Sequence, residues 1–129
     1  MSKVIDGIKY TKDHEWIKKL DNGNYQVGIT DYAQGSLGDI VYVDVPDAGA
    51  ALKQGESIGT IESVKAVSDI YSPVTGAVVS KNTEVSDNPA VVNSDPYSAG
   101  WLIEVSLSNA SELDSLLSAS DYEKLLSSH

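Results

Sequence analysis

Short apolar runs rich in β-branched and aromatic residues, interrupted by Asn-Gly and Pro-x-x-Gly turns, shape most of this chain. His14-Glu15-Trp16-Ile17 and Tyr25-Gln26-Val27-Gly28-Ile29 flank Asp21-Asn22-Gly23-Asn24. An Asn-Gly pair between two such runs predicts a hairpin, because both residues tolerate positive φ. Thr30-Asp31-Tyr32-Ala33-Gln34 predicts a short helix capped by Thr30 and ending near Gly35. Residues 38–45 read as a strand with Val41, Val43 and Val45 on a buried face and Tyr42 and Asp44 on the other. Residues 57–61 and 69–72 predict two arms of a hairpin, spanning about 57–73, with Lys65 at or near its tip. Residues 86–100 read as loop, and Trp101-Leu102-Ile103-Glu104-Val105 as a strand. Ser111 before Glu112-Leu113-Asp114 has the form of a capping box, and Leu113, Leu116 and Leu117 fall on one helical face. A helical tail over about 111–127, restarting at Ser120-Asp121-Tyr122-Glu123, is expected to cover the sheet.

A repeat organises the middle of the chain. Pro46-Asp47-Ala48-Gly49 and Pro73-Val74-Thr75-Gly76 stand 27 residues apart, with Lys65 between them. Ala50, Leu52 and Ile58 align with Ala77, Val79 and Val85 at the same spacing of 27, and Gly55 aligns with Asn82, a plausible exchange at a turn needing positive φ. Two copies are too few for a solenoid. They predict a mainly β fold, a flattened barrel or sandwich with pseudo-two-fold half-motifs, and one domain over residues 1–129.

Composition narrows the function classes. The formal net charge of -10 disfavours nucleic acid and anionic membranes as partners, since both reward basic surfaces. With no cysteine there is no disulfide, thiolate nucleophile or cysteine-ligated metal, so any redox sulfur must come from an attached group. All the basic residues are lysines, so no guanidinium clamp is available for phosphate. No apolar run approaches membrane-spanning length, and the start of the chain has neither signal-peptide nor transit-peptide character. A cytoplasmic protein is expected, or a mitochondrial-matrix one if the chain is a processed organellar protein. Nothing in the pattern asks for more than a monomer.

Lys65 is the residue with most chemical promise. It lies in Glu62-Ser63-Val64-Lys65-Ala66-Val67-Ser68-Asp69. A catalytic Schiff-base lysine needs burial or a neighbouring cation to lower its pKa, whereas these neighbours are small, apolar or acidic. A displayed lysine without catalytic machinery fits an attachment point for a cofactor, against the plain reading of a solvated turn residue. His14 reads as structural or as part of a surface cleft, because the other histidine is the terminal His129 and a metal site would rest on carboxylates alone. Ser63 and Ser68 have no His–Asp partners for nucleophilic catalysis, and no Gly-rich phosphate loop is present.

The segment from Glu62 to Gly76 resembles the lipoyl-attachment segment of glycine cleavage system H proteins. So do His14-Glu15-Trp16, residues 27–34, Leu37-Gly38-Asp39-Ile40-Val41 and Asp95-Pro96-Tyr97-x-x-Gly100-Trp101-Leu102-Ile103, in matching order and spacing over nearly the whole chain. Biotin carriers usually flank their lysine with methionines, and acyltransferase lipoyl domains typically read Asp-Lys-Ala; Val64 and Ala66 stand here instead.

The resemblance implies a fold of the lipoyl/biotinyl carrier type and a protein without catalysis of its own. Lys65 would carry lipoate in amide linkage, with Glu62, Ser63, Val64 and Ala66 forming the hairpin that a lipoyl ligase or octanoyltransferase recognises. A pyridoxal-phosphate-dependent glycine decarboxylase would load the arm, an aminomethyltransferase would pass its one-carbon unit to tetrahydrofolate, and dihydrolipoyl dehydrogenase would reoxidise it. The extended arm reaches on the order of 14 Å. In the family the loaded arm retreats into a surface cleft, and Glu15 and Asp69 are expected to line it for a cationic guest. Ser36, where some relatives carry histidine, is the third polar residue assigned to that cleft. Rival readings are a lipoate relay to other lipoyl proteins and an unmodified binding module; a hydrolase has no visible constellation to support it.

Overall fold

The computed structural model describes residues 3–127. Met1, Ser2, Ser128 and the terminal His129 lie outside the described residues. Among the described residues nine strands form two antiparallel sheets. β1 (Lys9–Tyr10), β2 (Glu15–Lys19), β3 (Tyr25–Ile29), β9 (Ile103–Leu107), β8 (Gly76–Lys81) and β5 (Ala51–Leu52) make the larger sheet in the order β1-β2-β3-β9-β8-β5. β4 (Ile40–Asp44), β6 (Ser57–Ser63) and β7 (Val67–Tyr71) make the smaller one in the order β4-β6-β7. The mainly β, sandwich-like expectation holds.

Apolar side chains from both sheets meet in the interior. Ile29, Ile40, Val43, Ile61 and Ile70 form one cluster, and Ile17, Val27, Leu52, Val74, Val78, Ile103 and Val105 form the next. A third gathers aromatic rings: Tyr10 stacks on Tyr122 at 4.5 Å between centroids, and Tyr97 meets Tyr10 edge-on at 6.5 Å. Trp16 is fully buried there, and its indole N–H donates to the carbonyls of Ile29 (2.9 Å) and Pro96 (3.0 Å). Gly28 is its cross-strand partner, and a Cβ there would lie 2.6 Å from the Trp16 ring.

The half-motifs meet as a two-fold relation requires. Ala51 pairs with Ala77, and the Val78 N–H donates to the Ala50 carbonyl at 2.9 Å, so equivalent segments run antiparallel beside each other. The equivalence breaks further along, where Ile58 lies on β6 but its counterpart Val85 lies in a short helix, and at two more positions. Asn82 has φ -82° and caps the following helix, whereas Gly55 sits at φ +86°. Val79 is exposed while its counterpart Leu52 is buried, because a bulge between Val78 and Ser80 resets the alternation of side chains.

Other boundaries also differ from the pattern-based expectations. Thr30 does cap the first helix, α1 (Asp31–Leu37), but the helix runs through Gly35 to a cap at Gly38, whose φ of +83° suits glycine. A bulge between Ile40 and Tyr42 leaves Val41 exposed, so Val41 does not share the inward face of Val43. The segment expected as loop over 86–100 is bordered by α2 (Thr83–Asp87) and contains α3 (Val91–Ser94), with Val91 and Val92 buried. These helices are too short for a hydrophobic period to show.

The tail is a 3-10 helix (Ala110–Ser115) followed by α4 (Ala119–Ser127). Asn109, not Ser111, caps the 3-10 helix by accepting the Ser111 N–H. The expected box from Ser111 to Asp114 therefore does not form, and Glu112 has another role. Its carboxylate accepts the Thr75 N–H (2.6 Å) and hydroxyl (2.7 Å), clamping the tail to the β7–β8 turn. Leu116 and Leu117 lie beyond the helical turn, and Leu117 exchanges two backbone hydrogen bonds of 2.8 Å with Tyr10.

Gly76 is wedged between β5 and β9, and a Cβ there would overlap the Ser106 carbonyl oxygen. Gly76→Ala should therefore lower stability in urea unfolding by about 2–3 kcal/mol, the upper range for overpacking against backbone. Gly35→Ala is the opposite case. Its Cβ meets nothing within 4 Å in a helical position, so a gain of about 0.5–1 kcal/mol is expected.

Candidate functional site: the lysine turn and its neighbouring cavity

β6 and β7 join through a tight turn from Ser63 to Ala66. The Ser63 N–H donates to the Ala66 carbonyl at 2.8 Å. The Ser63 hydroxyl donates to the same carbonyl (3.3 Å) and accepts the N–H groups of Lys65 (3.3 Å) and Ala66 (3.1 Å). A hydroxyl has one donor and two acceptor sites, and all are used. Ser63 is buried, while Val64, Lys65 and Ala66 are exposed.

The turn rests on the loop between α1 and β4. The Val64 N–H donates to the Asp39 carbonyl at 3.0 Å. The aliphatic stem of Lys65 lies against Gly38, where a Cβ would stand 3.4 Å from Lys65 Cε. Asn93 of α3 locks that loop: its amide donates to the Gly38 carbonyl (2.8 Å) and to Gln34 Oε1 (3.0 Å), and its oxygen accepts the Ile40 N–H (2.9 Å). The Lys65 amine itself makes no ion pair or hydrogen bond with any described residue. Gly38 and Asp39 stood within a block already singled out in the sequence. Asn93 carried no such signal, because its partners are distant in the chain.

Glu15 is 2% exposed, at the start of β2. One carboxylate oxygen accepts the Thr11 hydroxyl at 2.6 Å, and the other accepts the Tyr71 N–H at 3.2 Å on the open edge of β7. The carboxylate faces a cavity of about 350 Å³ bounded by Thr11, Lys12, Asp13, Gln54, Tyr71 and Leu116, among others. Burial pushes its pKa from 4.5 up to about 7, against the lowering effect of those two hydrogen bonds. Asp69 is two residues from Tyr71 and exposed, with the Tyr71 hydroxyl 3.5 Å from its carboxylate. It belongs to the outer face of the small sheet and is not among the residues bounding the cavity. Ser36 is exposed on α1, and it too is absent from the cavity wall. Glu62 is half-buried on β6, between Tyr42 and Val67.

His14 has a left-handed backbone, φ +69°, immediately before Glu15. Its Nδ1 lies 2.8 Å from the Tyr122 hydroxyl, which also meets the Thr30 hydroxyl at 2.7 Å. The ring packs on Tyr32 at 4.6 Å. His14 thus joins α4 to the start of α1, as a structural histidine does. Among the described residues no cluster of His, Asp and Glu could hold a metal ion.

A carboxyl that binds its proton more tightly when folded stabilises the fold fully below its unfolded pKa, and that contribution is lost as pH rises through the folded value. For Glu15 the window runs from 4.5 to about 7. Across it, the unfolding free energy of the native protein should fall by up to ~3 kcal/mol relative to Glu15→Gln. Urea unfolding of both proteins at the two ends of that range, with a carboxyl carbon titration by NMR, checks the effect; a Glu15 midpoint near 4.5 would contradict it.

Comparison with known proteins places this arrangement. The family model described as "Glycine cleavage H-protein" matches residues 8–129. The glycine cleavage system H protein of Carboxydothermus hydrogenoformans is 54% identical over 98% of this chain and 96% of its own length. That of Citrobacter koseri is 52% identical over 98% of each chain. The crystal structure of a glycine cleavage system H protein from Mycobacterium marinum superposes with a TM-score of 0.89 at 40% identity, covering 96% of this chain and 99% of that one. With one family matched along almost its whole length and fold, the chain belongs to the glycine cleavage H-protein family, the lipoyl-carrying component of that system.

Proposed function

We propose that Lys65 is the residue that carries lipoate, in amide linkage, and that the chain acts as one carrier domain without catalysis of its own. The observation that carries this reading is the exposed lysine at the tip of a fully hydrogen-bonded turn, with its stem against Gly38 and its amine unengaged. When attached, lipoate supplies a redox-active disulfide through which a one-carbon unit and an electron pair pass between enzymes. The chain supplies position. The Ser63 turn and the Asp39 carbonyl hold the base of the arm still, and the lysine stem leaves it free to swing.

Attachment forms an N–C bond at Nζ and breaks the bond between the acyl carbon and its activating group. The amine proton leaves to a base of the loading enzyme, since no described side chain bonds to Nζ. We assign loading to a lipoyl ligase or octanoyltransferase. The arm would then serve a pyridoxal-phosphate-dependent glycine decarboxylase, an aminomethyltransferase and dihydrolipoyl dehydrogenase, in the cytoplasm of a bacterial cell. An arm reaching ~14 Å can run along the open edge of β7 toward Tyr71 and the Glu15 cavity. There Glu15 would receive a cationic end, whose charge would favour the ionised carboxylate and offset the desolvation that raises its pKa. Asp69 and Ser36 lie outside that cavity and have a weaker claim on the guest.

Intact mass of protein from lipoate-replete cells should rise by about 190 Da, the size of one amide-linked lipoyl group. Peptide mapping should place the gain on Lys65, and Lys65→Arg should abolish it. A chain left unmodified by an active loading enzyme would overturn the carrier reading. Glu62→Gln should slow loading by about tenfold, the scale of one lost charged contact at an interface. Loading progress curves that match the native protein would remove Glu62 from recognition.

A further inference from the structure

Among the described residues nothing covers one face of the small sheet, where Tyr42, Asp44, Val67 and Asp69 are exposed. Across β4, β6 and β7, Tyr42, Glu62 and Val67 stand opposite one another in register, and Asp44, Thr60 and Asp69 form the next row. Directly opposed residues share a face, with Cβ atoms about 4.5–5.5 Å apart. The alternating residues Val43, Ile61 and Ile70 point inward and are buried.

Exposed apolar groups concentrate at this place. The large apolar side chains exposed among the described residues are Val41, Tyr42, Val64, Val67 and Val79. All but Val79 lie on this sheet or on the lysine turn. Val64 is 70% exposed and Tyr42 53% exposed, so the patch costs solubility unless something uses it. Glu62, Asp44 and Asp69 make the same face acidic.

Reach identifies the occupant. Enzymes that work on the far end of the arm act ~14 Å from the turn, so covering it is not a condition of their chemistry. The enzyme that makes the amide must bring its reacting centre to Nζ itself. Its surface then has to cover the residues around the turn, which are Val64, Val67 and, one strand further, Tyr42.

We propose that the outer face formed by Tyr42, Glu62 and Val67, continued by Val64, is the docking surface for the acyl-transferring enzyme that loads Lys65. That enzyme presents an apolar rim to the valines and Tyr42, and a lysine or arginine to Glu62. The inference rests on the reading of Lys65 as the attachment site.

The test uses the purified full chain, lipoate, ATP and a lipoate–protein ligase, with loading followed by intact mass. Tyr42→Ser combined with Val67→Ser should lower kcat/KM for loading by about tenfold or more, mainly through KM, as expected for two buried anchors of an interface. Val79→Ser, an exposed apolar position on the other sheet, should load like the native chain. Once loaded to completion, the double variant should be reduced by dihydrolipoyl dehydrogenase and NADH at the native rate. Loading within about twofold of native, or an equal loss with the dehydrogenase or with Val79→Ser, overturns the docking assignment. A native dimer that the double variant dissolves, with loading unchanged, assigns the face to a second copy and also overturns it. A native chain that loads at Lys65 while the variants load equally well sinks this inference alone. A native chain that never loads sinks the carrier reading with it.

Discussion

The buried hydroxyl of Ser63 is the constraint on which the display of Lys65 depends. A hairpin turn leaves backbone N–H groups without partners in either strand, and buried donors without partners cost free energy. Here one hydroxyl accepts two of them and returns its own proton to the Ala66 carbonyl. The turn can therefore close tightly with no glycine and no cis peptide in it. A lysine on a loose loop would spread its attachment point over several ångströms. On this turn only the side chain is free.

Rigidity passes inward from that point. The Asp39 carbonyl ties Val64 to the α1–β4 loop, and Asn93 ties that loop to α3. The α3 residues Val91 and Val92 are in turn packed into the interior cluster with Ile29, Ile61 and Ile70. The lysine turn is thus anchored to the core through backbone carbonyls, leaving the outward side chains open to other proteins.

Carboxylates in this acidic chain have two distinct fates. Glu15 is buried at the foot of β2, held by Thr11 and by the exposed edge of β7, and its affinity for a proton rises accordingly. Glu62, Asp44 and Asp69 stand on the outer face of the small sheet, one or two residues from groups that point inward. Strand alternation separates the two sets: neighbours in sequence are delivered to opposite sides of the sheet. Glu15 and Asp69, expected together in one cleft, come from different sheets: Glu15 faces the cavity, Asp69 stands outside its wall, and Tyr71 touches both.

What the chain's sequence settled by itself is local. Asn22-Gly23 between two β-prone runs, Thr30 before a helix, the paired Pro-x-x-Gly turns and Lys65 between two strands are all short-range signals, and the matched structure bears each of them out. Turn chemistry and capping act within a few residues, so they are legible from order alone. What tertiary structure decided is everything that depends on a distant partner. Bulges at Val41 and Val79 reverse which side chains face out, because register is set by the neighbouring strand. The cap passes from Ser111 to Asn109, Glu112 clamps Thr75, Asn93 finds the lysine platform, and Glu15 acquires its raised pKa from burial among segments remote in the chain. Burial and long-range pairing are properties of the packed whole, so the position of the lysine could be read from the sequence while the surfaces around it could not.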